Sequence, residues 1–376
     1  MKPKHRKTRL LIVTDYFYPH WTGIAKSIWY LTRYLTDYEN TVLTTKHNPS
    51  LLSFEEKENI RIFRCSPTFR FSRTFISFFF IPQFIRLVFK SDCVFLNSPC
   101  TYMMPVSLIS KLLGKKVVIF HHGDLILPQS FFNTLIEKVF DMSSYVSFVF
   151  ANKVASYTRD YATYSRVLRP FLNKFSPLLI PLPKTIIKKG DILPSLQKIK
   201  KTNILIGFAG RFVEEKGFDI LFKAIPEIVS SLPKAHFVFA GETRMGYENF
   251  FEKKRRQFEK VKQNITLLGL LDDERMSHFY QNIDLFVASS RSDCFNLAQA
   301  ESMLHKTPVV VTDIPGLRAA VEKTRFGSLF QKNNPHDLAQ TIINTVKRRK
   351  SIQKNYPLVL DFFDRNKALE GWKTFL

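Results

Sequence analysis

The sequence predicts an α/β protein built from two tandem, doubly wound Rossmann-like domains. Three observations carry this: apolar runs alternate with helical patterns throughout, the rhythm breaks once near the middle, and the length suits more than one core. At about 100–200 residues per domain, 376 residues suggest two or three domains. Residues 10–14 read as a buried strand, and 23–35 as a helix whose Ile24, Ile28, Leu31 and Leu35 share one face. Residues 41–45, 60–64, 93–96 and 117–120 read as further strands, and 101–113 and 129–140 as helices. This is the β-α-β order of a parallel sheet covered by helices.

Residues 181–202, PLPKTIIKKGDILPSLQKIKKT, interrupt the order with three prolines, one glycine and six lysines. They set a linker at 183–202 between an N-terminal domain, 1–182, and a C-terminal domain, 203–357. A second series follows: strands at 204–209, 236–240, 265–268, 285–288 and 308–312, and helices at 217–230, 247–261, 273–281, 295–304 and 335–347. Ligands of such sheets bind outside the carboxyl ends of the strands. Two such domains facing each other would form a cleft.

Composition narrows the class. The chain is 45% apolar with 13 Gly and 19 Pro, which excludes collagen and low complexity. The longest uncharged run, 93–110, contains Asn97, Pro99 and Pro105, so no spanning helix is expected. The opening MKPKHRKTRLLIVTDYF has too short an apolar run for an export signal. The four cysteines form no CxxC pair and read as free thiols in a reducing cytosol. No metal site is expected.

Net charge is +24, of which +17 falls in residues 1–200 and +7 in the remainder. Such a chain attracts nucleic acid, anionic membranes or polyanionic substrates. No nucleic-acid motif is recognisable, so no nucleic-acid partner is expected. Residues 69–90 interleave phenylalanines with Arg70, Arg73, Arg86 and Lys90, a pattern suited to a membrane interface. A core helix behind a loop is the alternative for Phe78–Phe80.

Two constellations carry chemistry. In GFAGRFVEEKG (207–217), a strand runs into a loop holding Arg211 and Lys216 just before a helix. Helix starts favour anions, Arg offers a planar fork to phosphate oxygens, and Lys adds a point charge. In SSRSDCFNLAQAESMLHKTPVVVTDIPG (289–316), Asp293 and Glu301 are eight residues apart, about 12 Å if helical. Glu301 sits among apolar residues and needs a partner or ligand.

The loop Gly210, Arg211, Lys216, Gly217, the pair Asp293 and Glu301, and the following Thr307-Pro308-Val309-Val310 and Gly316 together resemble the donor-binding domain of retaining GT-B glycosyltransferases of family 4. The resemblance covers about residues 204–327. It implies that Gly210, Arg211 and Lys216 bind a nucleoside-diphosphate-sugar donor. Glu301 would hold its ribose, Asp293 would sit by the sugar hydroxyls, Asn296 and Leu297 would meet sugar and phosphate, and Gly269-Leu270 would flank the base. Asp293 stands where the family has glutamate, and Asn296 where it has glycine.

The N-terminal half resembles the family's acceptor domain less closely. Gly23 remains of its glycine pair, and His121 ends a strand as the family's histidine near the reacting sugar does, with His122 in reserve. Residues 358–376 resemble the final helix that crosses back onto the first domain. The resemblance implies a retaining hexosyl transfer, catalysed with Arg211, Lys216, Asp293 and His121, with no cofactor beyond the co-substrate and no obligatory metal. A glycan or lipid-linked acceptor at an anionic cytoplasmic membrane face is expected, in polysaccharide or glycolipid synthesis. A soluble transferase with a small acceptor and a non-catalytic nucleotide- or glycan-binding relative are the alternatives.

Overall fold

The computed structural model describes residues 6–71, 74–183, 193–243 and 248–376. They divide into two units: one runs to Pro183 and also includes Arg365–Leu376, and the other comprises the described residues up to Asp364.

The first unit contains, in order, β1 (Thr8–Val13), α1 (Gly23–Tyr34), β2 (Tyr38–Thr45), β3 (Phe54–Lys57), β4 (Ile60–Cys65), β5 (Phe69–Phe71), β6 (Thr74–Ile76), α2 (Phe80–Val88), β7 (Cys93–Ser98), α3 (Met103–Leu112), β8 (Lys116–His121), α4 (Phe131–Phe150), β9 (Lys153–Ser156), α5 (Arg159–Tyr164) and β10 (Phe175–Pro177). Its sheet has the order β10-β9-β8-β7-β1-β2-β4-β3. All neighbours are parallel except β3 and β4. Central strands covered on both faces read as unbroken apolar runs, as Val117–Phe120 does, fully buried. Thr22 caps α1, its hydroxyl accepting from the Ala25 N–H at 3.1 Å. The terminal helix Arg365–Phe375 completes this unit. Trp372 is fully buried against Phe95 and Phe120, and its indole N–H donates to the Leu179 carbonyl at 2.9 Å.

The second unit contains α6 (Pro194–Lys200), β11 (Ile204–Ala209), α7 (Phe218–Ser231), β12 (Ala235–Ala240), α8 (Phe250–Lys253), α9 (Arg255–Val261), β13 (Ile265–Gly269), α10 (Asp273–Asn282), β14 (Leu285–Ala288), α11 (Leu297–Leu304), β15 (Val309–Thr312), α12 (Arg318–Thr324), β16 (Gly327–Phe330), α13 (Pro335–Gln353) and α14 (Tyr356–Phe362). Its parallel sheet has the order β13-β12-β11-β14-β15-β16. Phe208, Phe212, Phe218, Phe222 and Phe239 pack ring on ring under α7.

Several expectations are corrected. The linker expected at 183–202 includes α6, whose Leu196 is fully buried, while 184–192 lie outside the described residues. The helix expected at 129–140 runs on to Phe150, because Ser144 and Ser147 are small enough to pack inward. The helix expected at 247–261 is two short ones, with Tyr247 outside the described residues. The segment 358–376 is not one helix: α14 ends at Phe362, and only Arg365–Leu376 joins the first unit. Of the proposed interfacial segment 69–90, Arg73 lies outside the described residues. Phe80 and Phe84 are core, while Phe78, Phe79 and Phe89 are exposed.

Candidate active site

In the second unit, β11 runs out at Ala209 into Gly210 and Arg211, and the chain then makes a short turn at Glu214–Lys216. Gly217 adopts a left-handed backbone (φ +64°), and a Cβ there would lie 2.0 Å from the Ser289 carbonyl oxygen, so only glycine fits. Helix α7 thus begins at Phe218, two residues beyond Lys216.

Lys216 points across to the loop after β14. Its Nζ lies 2.6 Å from Asp293 Oδ2 and 3.2 Å from Glu215 Oε1. Burial opposes the ammonium charge, and so does Arg211. Asp293 and Glu215 outweigh both and hold Lys216 above the ordinary lysine value. Arg211 is exposed and close enough for its charge to act on Lys216. Asn296 serves two ends. Its Oδ1 accepts from the Gln299 N–H and caps α11, and its Nδ2 donates to Asp293 Oδ2 at 3.3 Å.

Asp293 lies outside α11, which starts at Leu297. The 12 Å helical span expected between Asp293 and Glu301 is therefore corrected: only the last four of the eight steps are helical. Glu301 stands in the second turn of α11, where it accepts from the Tyr280 hydroxyl at 3.0 Å. Sequence reasoning missed Tyr280. Its signal was a phenol in an amphipathic helix, which needs a partner once buried.

The two loops are fastened together by residues the sequence reading also missed. Arg291 forms a two-pronged ion pair with the buried Asp219, both contacts at 2.9 Å. The same guanidinium donates to the Glu214 carbonyl at 2.7 Å, and the Arg291 N–H donates to the Glu215 carbonyl at 2.7 Å. The Ser289 hydroxyl adds bonds to the carbonyls of Lys216 and Gly217. The segment carrying Lys216 and the segment carrying Asp293 are therefore bonded to each other.

Three neighbouring strands close on glycine, at or just after their last residue: Gly210, Gly241 and Gly269. A Cβ on Gly241 (φ +138°) would lie 2.0 Å from the Gly210 carbonyl oxygen. Gly241 donates its N–H to the Gly269 carbonyl at 2.8 Å. The result is a backbone shelf free of side chains, with Leu270 exposed beside it. The repeated Phe-Ala-Gly at 208–210 and 239–241 was the available signal for Gly241.

In the first unit, Gly23 opens α1, with no atom within 4 Å of where its Cβ would stand. His121 ends β8 and is buried. Its Nε2 faces Asp124 at 3.0 Å and its Nδ1 faces the Ser98 hydroxyl at 2.8 Å. Burial would raise Asp124, but His121, Ser165 and the Arg166 N–H outweigh it and hold the carboxyl below its usual range. Both ring nitrogens of His121 are thereby engaged. His122 is likewise held by Tyr157 and Asn97, and burial pushes its pKa down to about 3. Among the described residues, no cluster of three or more His, Cys, Asp or Glu is arranged to hold a metal ion. The structure thus joins Lys216, Asp293 and Asn296 directly, places Gly210 and Arg211 on the same loop as Lys216, keeps Leu297 and Glu301 on the helix that follows, where Glu301 is bonded to Tyr280, and leaves Gly23 and His121 in the other unit.

A pair of parallel-sheet units, one with strands closing on glycine and an anion-ready loop, defines the GT-B class. The Anabaena protein HepE in complex with UDP and glucose superposes with a TM-score of 0.76 at 18% identity, covering 98% of each chain. Residues 203–348 match the family model described as Glycosyl transferases group 1. An uncharacterized glycosyltransferase of Methanocaldococcus jannaschii is 33% identical over 153 residues, covering 39% of this chain. The match spans 40% of that relative's length. One component of the phosphatidylinositol N-acetylglucosaminyltransferase of Arabidopsis thaliana is 20% identical over 382 residues, 98% of this chain and 79% of the relative. Among the described residues, no helix is long and apolar enough to cross a membrane.

Proposed function

We propose that the protein is a retaining glycosyltransferase that moves a sugar from a nucleoside-diphosphate sugar to a hydroxyl of a glycan or lipid-linked acceptor at the cytoplasmic face of a membrane. The observation that carries this reading is the Lys216–Asp293 pair beside Arg211, at the carboxyl ends of β11 and β14. Arg211 and Lys216 take the diphosphate, Glu301 takes the ribose, and the shelf of Gly210, Gly241 and Gly269 lets base and phosphate approach the backbone, with Leu270 at the base. Asn296 and the N–H groups opening α11 face sugar and phosphate.

In the reaction the bond from the anomeric carbon to the diphosphate oxygen breaks, and the acceptor oxygen bonds to that carbon on the same face. The acceptor proton passes to the departing phosphate oxygen. Negative charge on the diphosphate grows toward the transition state, so cations that hold it lower the barrier. A donor presents hydroxyls to Asp293 in place of part of its contact with Lys216. Gly23 and His121 serve the acceptor side. With its ring fixed by Ser98 and Asp124, His121 orients rather than shuttles a proton. The membrane part of the reading is supported by the basic first half of the chain and by the named activity of the Arabidopsis relative.

A thermal-shift screen with UDP, UDP-glucose and other nucleotide sugars tests the donor half, since binding to the folded state raises the melting temperature. Nuclear magnetic resonance of the product's anomeric proton tests retention. An inverted product sinks the same-face route.

A further inference from the structure

Helix α4 is inside out. Its buried positions are Ile136, Ser144, Ser147 and Phe148, and Ser147 meets Ser107 of α3 hydroxyl to hydroxyl at 3.1 Å. Its outward stripe is Phe132, Leu135, Val139, Met142, Tyr145 and Val149, each between 45% and 62% exposed, with Phe131 at 91%. The spacing of three or four residues keeps the stripe on one side of a helix about 30 Å long. A water-facing helix of a sheet layer carries the opposite pattern, and an apolar strip of this extent marks a contact surface.

The layer to which α4 belongs continues the character. Helix α3 packs on α4 and α2 packs on α3. Leu112 of α3 and Phe78, Phe79 and Phe89 beside α2 are exposed. Arg86, Lys90, Lys111 and Lys138 are exposed on the same three helices or at their ends. Between residues 69 and 150 the sequence has only four acids, Asp92, Asp124, Glu137 and Asp141. Asp92 pairs with Arg9, Asp124 with His121, and Glu137 and Asp141 with Arg166. The layer therefore presents apolar side chains among cations whose neighbouring acids are already engaged.

We propose that the outward face of α2, α3 and α4 seats the protein on an anionic lipid bilayer, with α4 lying in the plane of the interface and its apolar stripe among the acyl chains. This rests on the membrane-face part of the reading above and names the surface that performs it. Charge complementarity selects the occupant. Two copies of this face would set Arg86, Lys90, Lys111 and Lys138 against their equals, whereas anionic headgroups neutralise them. Aromatic side chains such as Phe78, Phe79, Phe131 and Phe132 suit the headgroup–acyl boundary.

Co-sedimentation of the full chain with vesicles of phosphatidylcholine alone, or of phosphatidylcholine with phosphatidylglycerol, tests the assignment. The wild type is expected to bind the mixed vesicles and to release them as salt rises. Leu135→Ser/Val139→Ser/Met142→Ser should weaken that binding by about tenfold or more, since each change removes buried apolar area. Its melting temperature should fall only slightly, because each of these side chains is more than half exposed. Phe131→Ser/Phe132→Ser should act the same way, and Arg86→Gln/Lys90→Gln should chiefly flatten the salt dependence. If both serine variants bind as the wild type does, the assignment to α4 is overturned while membrane binding stands. If the wild type ignores both vesicle types, the membrane reading falls with it. If the wild type is instead a dimer that the serine variants split, the face belongs to a second copy and the proposal is overturned.

Discussion

The two units share one construction, a parallel sheet between helices, yet they dispose of their polar and apolar groups in opposite ways. In the first, the polar groups at the strand ends are spent on each other: His121 on Ser98 and Asp124, His122 on Asn97 and Tyr157, Asp15 on Thr101. Its large apolar side chains crowd the outside, from Phe78 to Val149. In the second, the only large apolar side chains exposed among the described residues are Leu267, Leu270, Leu358 and Leu360. At one end of its sheet Arg211 stays exposed and Lys216 meets Asp293. The difference fits the proposed reading, in which the donor is held by the second unit while the first offers an apolar surface and a rigid strand edge.

The largest effect that would sharpen this contrast is on the first unit's core. Trp372→Ala should lower stability by about 3–5 kcal/mol, the usual cost of emptying a large aromatic site. Denaturant unfolding measures the loss. Hydrogen exchange should place it in β7 and β8, and equal loss of protection in β11 would break the contrast. Next, Lys216→Ala should reduce transfer about 100–1,000-fold, the scale of losing one charge-stabilising group, while leaving first-unit exchange unchanged. Turnover within a few-fold of wild type would remove Lys216 from the site.

The two units should also answer pH from opposite ends. His122 is neutral when folded, with its pKa near 3 against the ordinary histidine value of 6.5. Between these values the unfolded chain binds a proton that the folded chain does not. The stabilisation is therefore complete above about pH 6.5 and declines on acidification, by at most about 1.4 kcal/mol per pH unit. His122→Asn should flatten the acid limb of a stability–pH curve. Lys216 shifts the other way: its contribution is present below the ordinary lysine value and is lost as pH rises through the higher folded value. Smallest, Arg291→Ala should cost about tenfold in turnover by loosening the two loops proposed to hold the donor. Arg291→Lys should restore little, since one ammonium cannot make the two-pronged bond to Asp219. Full activity in Arg291→Ala would show that the fastening is idle.

Much of this was legible because strands covered on both faces are continuous apolar runs. Leu285–Ala288 and Ile204–Ala209 stand where their residues put them. The loop of Arg211 and Lys216 was visible as a motif, but its partner was not: Lys216 and Asp293 are 77 residues apart, and no local rule joins them. Arg291 and Asp219 were missed for the same reason. Helix α4 was cut short because a serine run looks like an ending when packing does not yet say which face is inside. Helix α6 was hidden by its lysines, which read as linker until Leu196 is seen to be buried.

The seat of Trp372 ties the first unit to a time as well as a place. Its ring neighbours Phe95 and Phe120 leave the ribosome early, but the side chain that fills the gap between them follows more than two hundred residues later. At about 5–20 residues per second, that is roughly 10–50 s during which a nascent sheet waits with its interior unsealed, in need of shelter.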